Sequence, residues 1–554
     1  MSETRVTRAS MLTSRITRRA LLGVLLAASG VPLLAACSAP APSPASTTST
    51  SAPSSGNTPA SVSVTPLPAP AATSQPVSGG SMRFAITADL ATLDGHSRTP
   101  GSYESNWLCY DQLIKYDDKL QPQPMLAESW ELAPDYKQIA FHLRPGVTYH
   151  SGREFTSDDV KYNVLRVRDV KVASGLFTQQ SNWFSAIDTP DKYTVVLRSD
   201  QSRPALFDFF DTFNMLDKDT MEGPDAKTKE VGTGPFMFVE RAQGDHMTFA
   251  KNPNYWQTGR PYIDSWTALV RDYQSAIVQL EAGALDGVRN PTVTDIVRLK
   301  SDPAYVNVVH PSPGTFFEFG ISVKQPPFDN KLVRQALNYA FNRQRLVDLA
   351  YAGTAEAVSL PWSKSSPAYD QQKNKTYAYD LDKARSLLSQ ANVSGLQVNV
   401  LVPGGGYPTY EGFMPAYQED LKSVGVQMNI NTVTPAVWVD QANNVKYTGL
   451  VASGDGGANV SPANLLDVSP AWRVNPNNEG FDDPMWKQIV NAVETEVDPA
   501  RQKDLYARMN DFMLDQCWII VPSNLPASNL ISSKVHGLVP TQYGGFSYVN
   551  AWIG

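Results

Sequence analysis

The spacing of apolar positions follows one period early in the chain and another later. Ser81-Met82-Arg83-Phe84-Ala85-Ile86-Thr87 alternates, which predicts a strand. Leu90 to His96 reads as a polar loop, and Asn106 to Tyr116 as a helix with Trp107, Leu108, Leu113 and Ile114 inward. Residues 121–231 predict short strands, among them Ile139–Leu143 and Thr194–Arg198, with Pro145-Gly146 as a turn. Thr156 is placed to cap a helix from Ser157, with Asp158 and Asp159 where the dipole favours negative charge.

From Asp329 the period is helical. Asp329 or Asn330 caps a helix carrying Val333, Ala336, Leu337, Ala340 and Phe341 on one face, with Gly353 as its stop. Helix Leu381–Gln390, strand Leu396–Val402, a helix near Phe413–Ser423 and strand Val426–Ile430 follow. Thr434-Pro435 opens another helix, and Asp498-Pro499 opens a last long one ending near Asp515. This alternation predicts an α/β, doubly wound sheet covered on both faces, with Cys517–Val521 inside it. No internal repeat is visible.

The first 80 residues follow neither period. Thr17-Arg18-Arg19-Ala20 precedes a 17-residue apolar stretch, Ala20–Ala36, interrupted by Ser29 and Pro32. Basic residues, a short apolar core and small residues at a cut site describe a secretory signal in residues 1–36. The run Leu34-Ala35-Ala36-Cys37 resembles a bacterial lipoprotein signal, which implies lipid on Cys37, and the paired arginines resemble a twin-arginine signal. An ordinary signal or membrane anchor with an incidental cysteine is the plainer reading. Of the 43 residues from Ser38 to Gly80, 34 are Ser, Thr, Pro or Ala and none is charged or aromatic. Such a tract has too little apolar surface to offset its ordering entropy, so residues 37–80 are expected to be a disordered tether. Its reach is about 35–40 Å. An extracytoplasmic, lipid-anchored protein is expected, periplasmic or on the outer face of the membrane.

The remaining stretch of about 470 residues suffices for two or three domains. Formal charge is −7, and the first 36 residues hold five arginines and one acid, a net +4 that leaves −11 for the rest. A nucleic-acid partner would want a basic face, so none is expected. Beyond Cys37 only Cys109 and Cys517 remain; they read as two buried free thiols, though a pair is open to them. Six histidines lie without ligand spacing, and neither metal nor cofactor is called for. There is no Gly-x-Ser-x-Gly and no His-Glu-x-x-His, and Asp158/Asp159 and Asp482/Asp483 suit capping better than acid/base work. The chain therefore reads as a binder and not as a secreted hydrolase.

Several phrases occur in a fixed order. Pro124-Met125-Leu126-Ala127-Glu128-Ser129-Trp130 precedes Phe141–Val147, His150-Ser151-Gly152-Arg153 and Phe155–Val160. Val231-Gly232-Thr233-Gly234-Pro235-Phe236 leads into Lys251–Trp256. Pro326-Pro327-Phe328-Asp329 precedes Val333–Leu337 and Ala340-Phe341-Asn342-Arg343. This ordered set resembles the family 5 extracellular solute-binding proteins of ABC transporters, over nearly all of Gly80–Gly554. The resemblance implies a two-lobe, periplasmic-binding-protein-like fold of type II with an extra subdomain in the first lobe. Lobe I would be 81–120, 232–310 and 526–554, the extra subdomain 121–231, and lobe II 311–525. It also implies a monomer that traps a small solute, peptide-like or otherwise, between its lobes. The closed form would be read by ABC permease subunits in the membrane.

Candidate site residues come from two sources. Aromatics in polar context, Trp183, Trp362, Trp438 and Trp472, can wall a cleft or pack in the core. Tyr103, in the loop after the first strand, and Phe316 at the crossing into the second lobe admit the same two readings. Gly404-Gly405-Gly406 and Tyr407 follow a strand's carboxyl end, the usual ligand side, although a plain turn fits the glycines equally. Gly232-Thr233-Gly234-Pro235 sets backbone direction; no Lys-Ser/Thr follows, so it is not a phosphate loop. In peptide-binding relatives an acidic residue in a Trp-Gly-x-Asp…Asp-Pro-Asp-like segment grips the ligand's amino terminus. With Pro462 and Asn464 setting the register, Ala458 and Ser461 occupy the acidic positions here, and Asp455, about three residues away, is the remaining acid. Asp455 is either that grip or a turn residue beside glycines. An oligosaccharide held by aromatic walls, or a nickel complex, is the alternative ligand.

Overall fold

The chain divides into Met1–Thr73 and Ser74–Gly554. The computed structural model describes residues 75–554 apart from 87, 88, 91, 98–101, 170, 173, 174, 310–313, 405–407, 475, 476, 526, 527 and 542–544; for 102–104, 175, 176, 408–412 and 468 it describes the backbone alone. The expected signal, Cys37 and the tether lie outside the described residues.

Three sheets organise the second unit. A seven-stranded sheet has the order Tyr305–Val309, Ser528–Ser532, Gly287–Arg289, Ser81–Ile86, Ser265–Val270, His246–Lys251, Phe236–Ala242. Its centre is parallel, Ser81–Ile86 pairing with Ser265–Val270 and with Gly287–Arg289. Residues of the 121–231 block form a four-stranded antiparallel sheet, Ala127–Leu132, Gln138–Leu143, Thr194–Ser199, Phe184–Asp191. The five-stranded sheet has the order Gln427–Val433, Gln397–Pro403, Leu450–Asp455, Phe316–Ile321, Ile519–Asn524.

That five-stranded sheet departs from the doubly wound expectation. Phe316–Ile321 is antiparallel to both neighbours, so it alone runs against the other four strands. The strand before it, Tyr305–Val309, belongs to the seven-stranded sheet, and Phe316, its first residue, pairs with Asp455 and Asn524, so it starts at the carboxyl end of the other strands. Ile519–Asn524 lies at the edge of the order instead of inside it, although it is buried. Cys517 is not in the strand; it ends the preceding helix with a left-handed backbone, φ 50°. Both cysteines are free and buried.

Strand alternation divides the five-stranded sheet's contacts between its faces. Phe317, Phe319 and Ile321 pack with Val398, Val400 and Leu450 beneath helices Lys331–Tyr339, Leu381–Gln390 and Pro408–Lys422. Phe316 turns the other way, into a core shared with Trp472, Trp486 and Trp518. That second core also takes in Phe177, Phe209 and Phe213 from the 121–231 block.

Local signals placed most helices. Thr156 caps Ser157–Arg166 in a reciprocal box with Asp159. Asp380 caps Leu381–Gln390 by accepting from the Lys383 amide, and Asp498 caps Pro499–Gln516 by accepting from that of Arg501. Two expectations fail. Asn106–Tyr116 is not one helix: a helix covers Ser102–Cys109, and Ile114–Tyr116 is a strand. Asp211 accepts the Tyr116 amide at 2.7 Å and so holds that strand. The single helix from 330 to 353 is two, Lys331–Tyr339 and Arg343–Tyr351, because the Asn342 side chain accepts from the Arg345 amide and starts a new helix.

The recurring phrases prove largely structural. Arg343 is buried and donates to the carbonyls of Val358, Asn338 and Tyr377. Arg334 does the same for Phe328, Asp329 and Gln516. At Gly232-Thr233-Gly234, the Gly234 amide donates to Cys109 O at 2.9 Å, and the Gly234 carbonyl accepts from Asn252 at 3.0 Å. Thr233 donates to buried Asp111, which also accepts from Trp256 and Tyr255. His150 accepts the Gly232 amide at Nδ1 and faces the Gly234 carbonyl from Nε2, so its proton sits on Nε2 and the ring is neutral.

Buried ionisable groups give a stability profile against pH. Burial pushes Asp208 up to about 7 and Glu230 up to about 8. Their contribution is fully present below the unfolded carboxylate value of about 4 and is lost as pH rises through the folded values. Burial pushes His96 down to about 3 and His150 down to about 4, so each costs stability only as pH falls below about 6.5. Between pH 6.5 and 8 His96 and His150 are neutral in both states, and every remaining raised group, the buried carboxyls and His246 beside Asp245 and Glu240, loses its contribution in the same direction. Scanning calorimetry should show the melting midpoint falling over that interval, with a loss on the order of 2 kcal/mol. A midpoint that rises instead would contradict burial of these carboxyls in the neutral form.

Candidate functional site

The carboxyl end of strand Leu450–Asp455 pairs with the start of Phe316–Ile321, and Gln397–Pro403 ends toward the same edge one strand further on. In open α/β sheets, ligands bind outside such strand ends. Here Asp455 pairs across with Phe316, and Phe316 with Asn524, so the segments crossing between the two large sheets leave from the same edge. The Leu525 amide donates to Thr315 O at 2.9 Å, and Thr315 Oγ1 donates back to Leu525 O at 3.2 Å, tying the two crossings together.

Asp455 is half-buried and accepts from the Gly456 amide at 2.8 Å. Burial raises its carboxyl above the usual range, against opposing bonds from Ser469 and Gly456 and the charge of Arg473. Two further carboxyls lie close by. Glu318 stands two residues along the strand from Phe316, on the same face, and accepts from Trp472 Nε1 at 3.2 Å. Glu479 packs over Gly320: a Cβ at that glycine would lie 2.2 Å from Glu479 Oε1. Both are buried, and burial raises both, with the charge of Asp455 adding to it. Arg473, half-buried, is the cation that acts on Asp455 and Glu479. Glu318 and Glu479 are thus held toward the neutral acid, and Asp455, opposite Arg473, is the carboxyl that keeps its charge at this half-open strand end.

The predicted residues separate into groups. Phe316, Asp455 and Trp472 come together: the Phe316 and Trp472 rings lie 6.5 Å apart, and Trp472 rests on Trp518 at 5.4 Å. Trp438 is half-buried in helix Pro435–Asn443, with Nε1 donating to Ala452 O and its ring against Leu401, Tyr447 and Val451. The Tyr447 hydroxyl donates to the carbonyl of Asn478, the residue before Glu479, at 3.2 Å. Trp362 is a core residue and not a cleft wall: it is 1% exposed and donates to Asn510 at 2.6 Å within the shared core. Trp183 lies in the 121–231 block beneath the Arg203 guanidinium, 5.3 Å from its ring. Tyr103 sits in helix Ser102–Cys109 and not in a loop, and its side chain lies outside the described residues. Gly405 and Tyr407 also lie outside them; Gly404, next to them, donates its amide to Val433 O at 2.7 Å. Glu318 and Glu479 escaped the sequence reading. The available signal was a lone acid inside Phe316-Phe317-Glu318-Phe319-Gly320, where strand alternation leaves no exposed face.

Among the described residues no group of three or more His, Cys, Asp or Glu can hold a metal ion, and no helix is long and apolar enough to cross a membrane.

Comparison with known proteins decides the family. Residues 121–472 match the description "Bacterial extracellular solute-binding proteins, family 5 Middle". The chain belongs to this family. A heme-binding protein A of Haemophilus influenzae is 25% identical over 474 residues, covering 78% of this chain and 85% of that protein. A di/tripeptide-binding protein of Pseudomonas aeruginosa is 26% identical over 465 residues, covering 78% and 86%. In structure, the chain resembles the periplasmic binding protein DppA of Helicobacter pylori, solved with the peptide STSA, at a TM-score of 0.76 and 21% identity, over 86% of this chain and 98% of that one. The fold is thus that of the type II periplasmic binding proteins, as the phrases implied. This family 5 protein is an extracytoplasmic solute binder that works with an ABC transporter, and not an enzyme.

Proposed function

We propose that this family 5 protein is a lipid-anchored monomer that traps a small solute with a cationic end, such as a peptide amino terminus, and presents the closed form to an ABC permease. Lobe I is 81–120, 232–310 and 526–554, the extra subdomain 121–231 and lobe II 311–525. Residues 37–80 tether the body through lipid on Cys37. The observation that carries the ligand reading is the half-open carboxylate of Asp455 backed by buried Glu318 and Glu479. An ammonium group docking there gains charge-assisted bonds to the Asp455 carboxylate. The di/tripeptide-binding relative and the peptide-bound neighbour support the same class.

A specific observation favours a second reading. Ala458, fully buried, and Ser461 stand where peptide-binding relatives are expected to carry acids. With Trp438 half-exposed on helix Pro435–Asn443, a neutral oligosaccharide is the rival ligand. A thermal-shift screen over short peptides, their N-acetylated forms, oligosaccharides and Ni²⁺ separates these. A ligand at about 100 times its Kd stabilises by about 2.7 kcal/mol. Free peptides should raise the melting point and N-acetylated ones should not. A rise with oligosaccharides alone, or equal rises with both peptide forms, would overturn the cationic-end reading.

A further inference from the structure

The seam between the 121–231 block and helix Pro462–Val468 joins that block to a helix whose C-cap, Ser469, bonds Asp455, and it is built unlike the rest of the core. Its floor is apolar, with Phe177, Phe209 and Phe213 on one side and Ala463, Leu465 and Leu466 on the other. Over that floor three side chains of the 121–231 block reach the helix or its neighbour. Asp208 Oδ2 accepts the amide of Ser461, the residue capping the helix, at 3.2 Å. Gln180 Nε2 donates to Asn464 Oδ1 at 3.2 Å in a buried bond. Arg203 faces Asp467 on the helix and Glu494 on helix Pro484–Thr495, with Nη1 3.8 Å from Glu494 Oε2.

These contacts are poised and not saturated. One guanidinium serves two carboxyls, and burial raises both Asp467 and Glu494 while Arg203 lowers them. Asp467 Oδ2 and Arg203 Nε have no hydrogen-bond partner among the described residues. Asp208 is raised by burial and by the charge of Asp211 beside it, and accepts from Tyr116 on its own side. An apolar seam of this kind would hold shut by itself. Charged groups that must be desolvated to meet lower the net gain of closing, so the contact both forms and releases.

We infer that this seam is a latch: Arg203, Gln180 and Asp208 grip helix Pro462–Val468 when the lobes close and set the closed population without touching the solute. The inference rests on the two-lobe reading proposed above.

The test needs no solute. Spin labels at Asp200→Cys and Lys422→Cys, both exposed positions on opposite sides of the seam, report the interlobe distance in the full chain by pulsed electron paramagnetic resonance. The parent should show a short and a long distance. In Arg203→Ala the short-distance population should fall roughly tenfold relative to the long one, between the worth of an exposed ion pair and that of a buried one. Gln180→Ala should shift it the same way by less, and serves if Arg203→Ala does not fold. Unchanged populations in both variants beside a two-distance parent would overturn the latch and leave closure standing. A parent with a single distance would overturn closure itself, and the latch with it.

Discussion

Gly234→Ala should cost the fold roughly 3 kcal/mol or more, enough to lower its unfolding midpoint by many degrees. A Cβ at Gly234 would lie 2.5 Å from the Cys109 carbonyl carbon and 2.6 Å from Leu108 O. Both are backbone atoms, so no rotamer change relieves the contact. The neighbouring turn cannot yield either: the Gly234 amide is bonded to Cys109 O, its carbonyl accepts from Asn252, and Thr233 is bonded to buried Asp111. Gly232 is equally confined, with a Cβ placed 2.1 Å from Cys109 O. Gly244→Ala provides the comparison, since that position has a φ of +76° but open space around it. It should cost about 1 kcal/mol, the conformational term alone. Urea unfolding of both variants checks this. Equal, small losses would mean that the Gly232–Gly234 segment is not threaded as tightly as described.

Asp455→Asn should weaken binding of a solute with a free amino group by about 10- to 100-fold, the worth of one or two charge-assisted bonds. The fold should not suffer. Burial already holds this carboxyl above its usual range, so replacing it with a neutral amide removes a charge that the folded state accommodates poorly. Titration calorimetry and a melting curve on the same preparation separate the two effects. Affinity should also fall as pH is lowered and Asp455 takes up a proton, because the neutral acid no longer attracts an ammonium group. Undiminished affinity in Asp455→Asn would move the ligand grip elsewhere.

The sequence exposed those parts of the molecule whose causes are local. Helix Leu381–Gln390 was readable to the residue because its buried face, Ala384, Leu387 and Leu388, is its own. Pro435–Asn443 and Pro499–Gln516 were marked by a cap followed by proline. What stayed hidden depends on distant partners. Strand Ile114–Tyr116 is held by Asp211 and by Asp208, which accepts from the Tyr116 hydroxyl, and no local period announces either contact. The direction of Phe316–Ile321 is set by its pairing with Leu450–Asp455 and Ile519–Asn524, distant in sequence. The site divides in the same way. Asp455 was conspicuous as an acid among glycines, whereas Glu318 and Glu479 gain meaning only when strand pairing and the Gly320 gap bring them beside it.

Small-angle scattering on the solute found by thermal shift tests closure most directly. Saturation with that solute should shrink the radius of gyration and sharpen the pair-distance distribution, as two lobes shut on a shared groove. Superimposable curves with and without saturating solute would contradict a protein that works by closing.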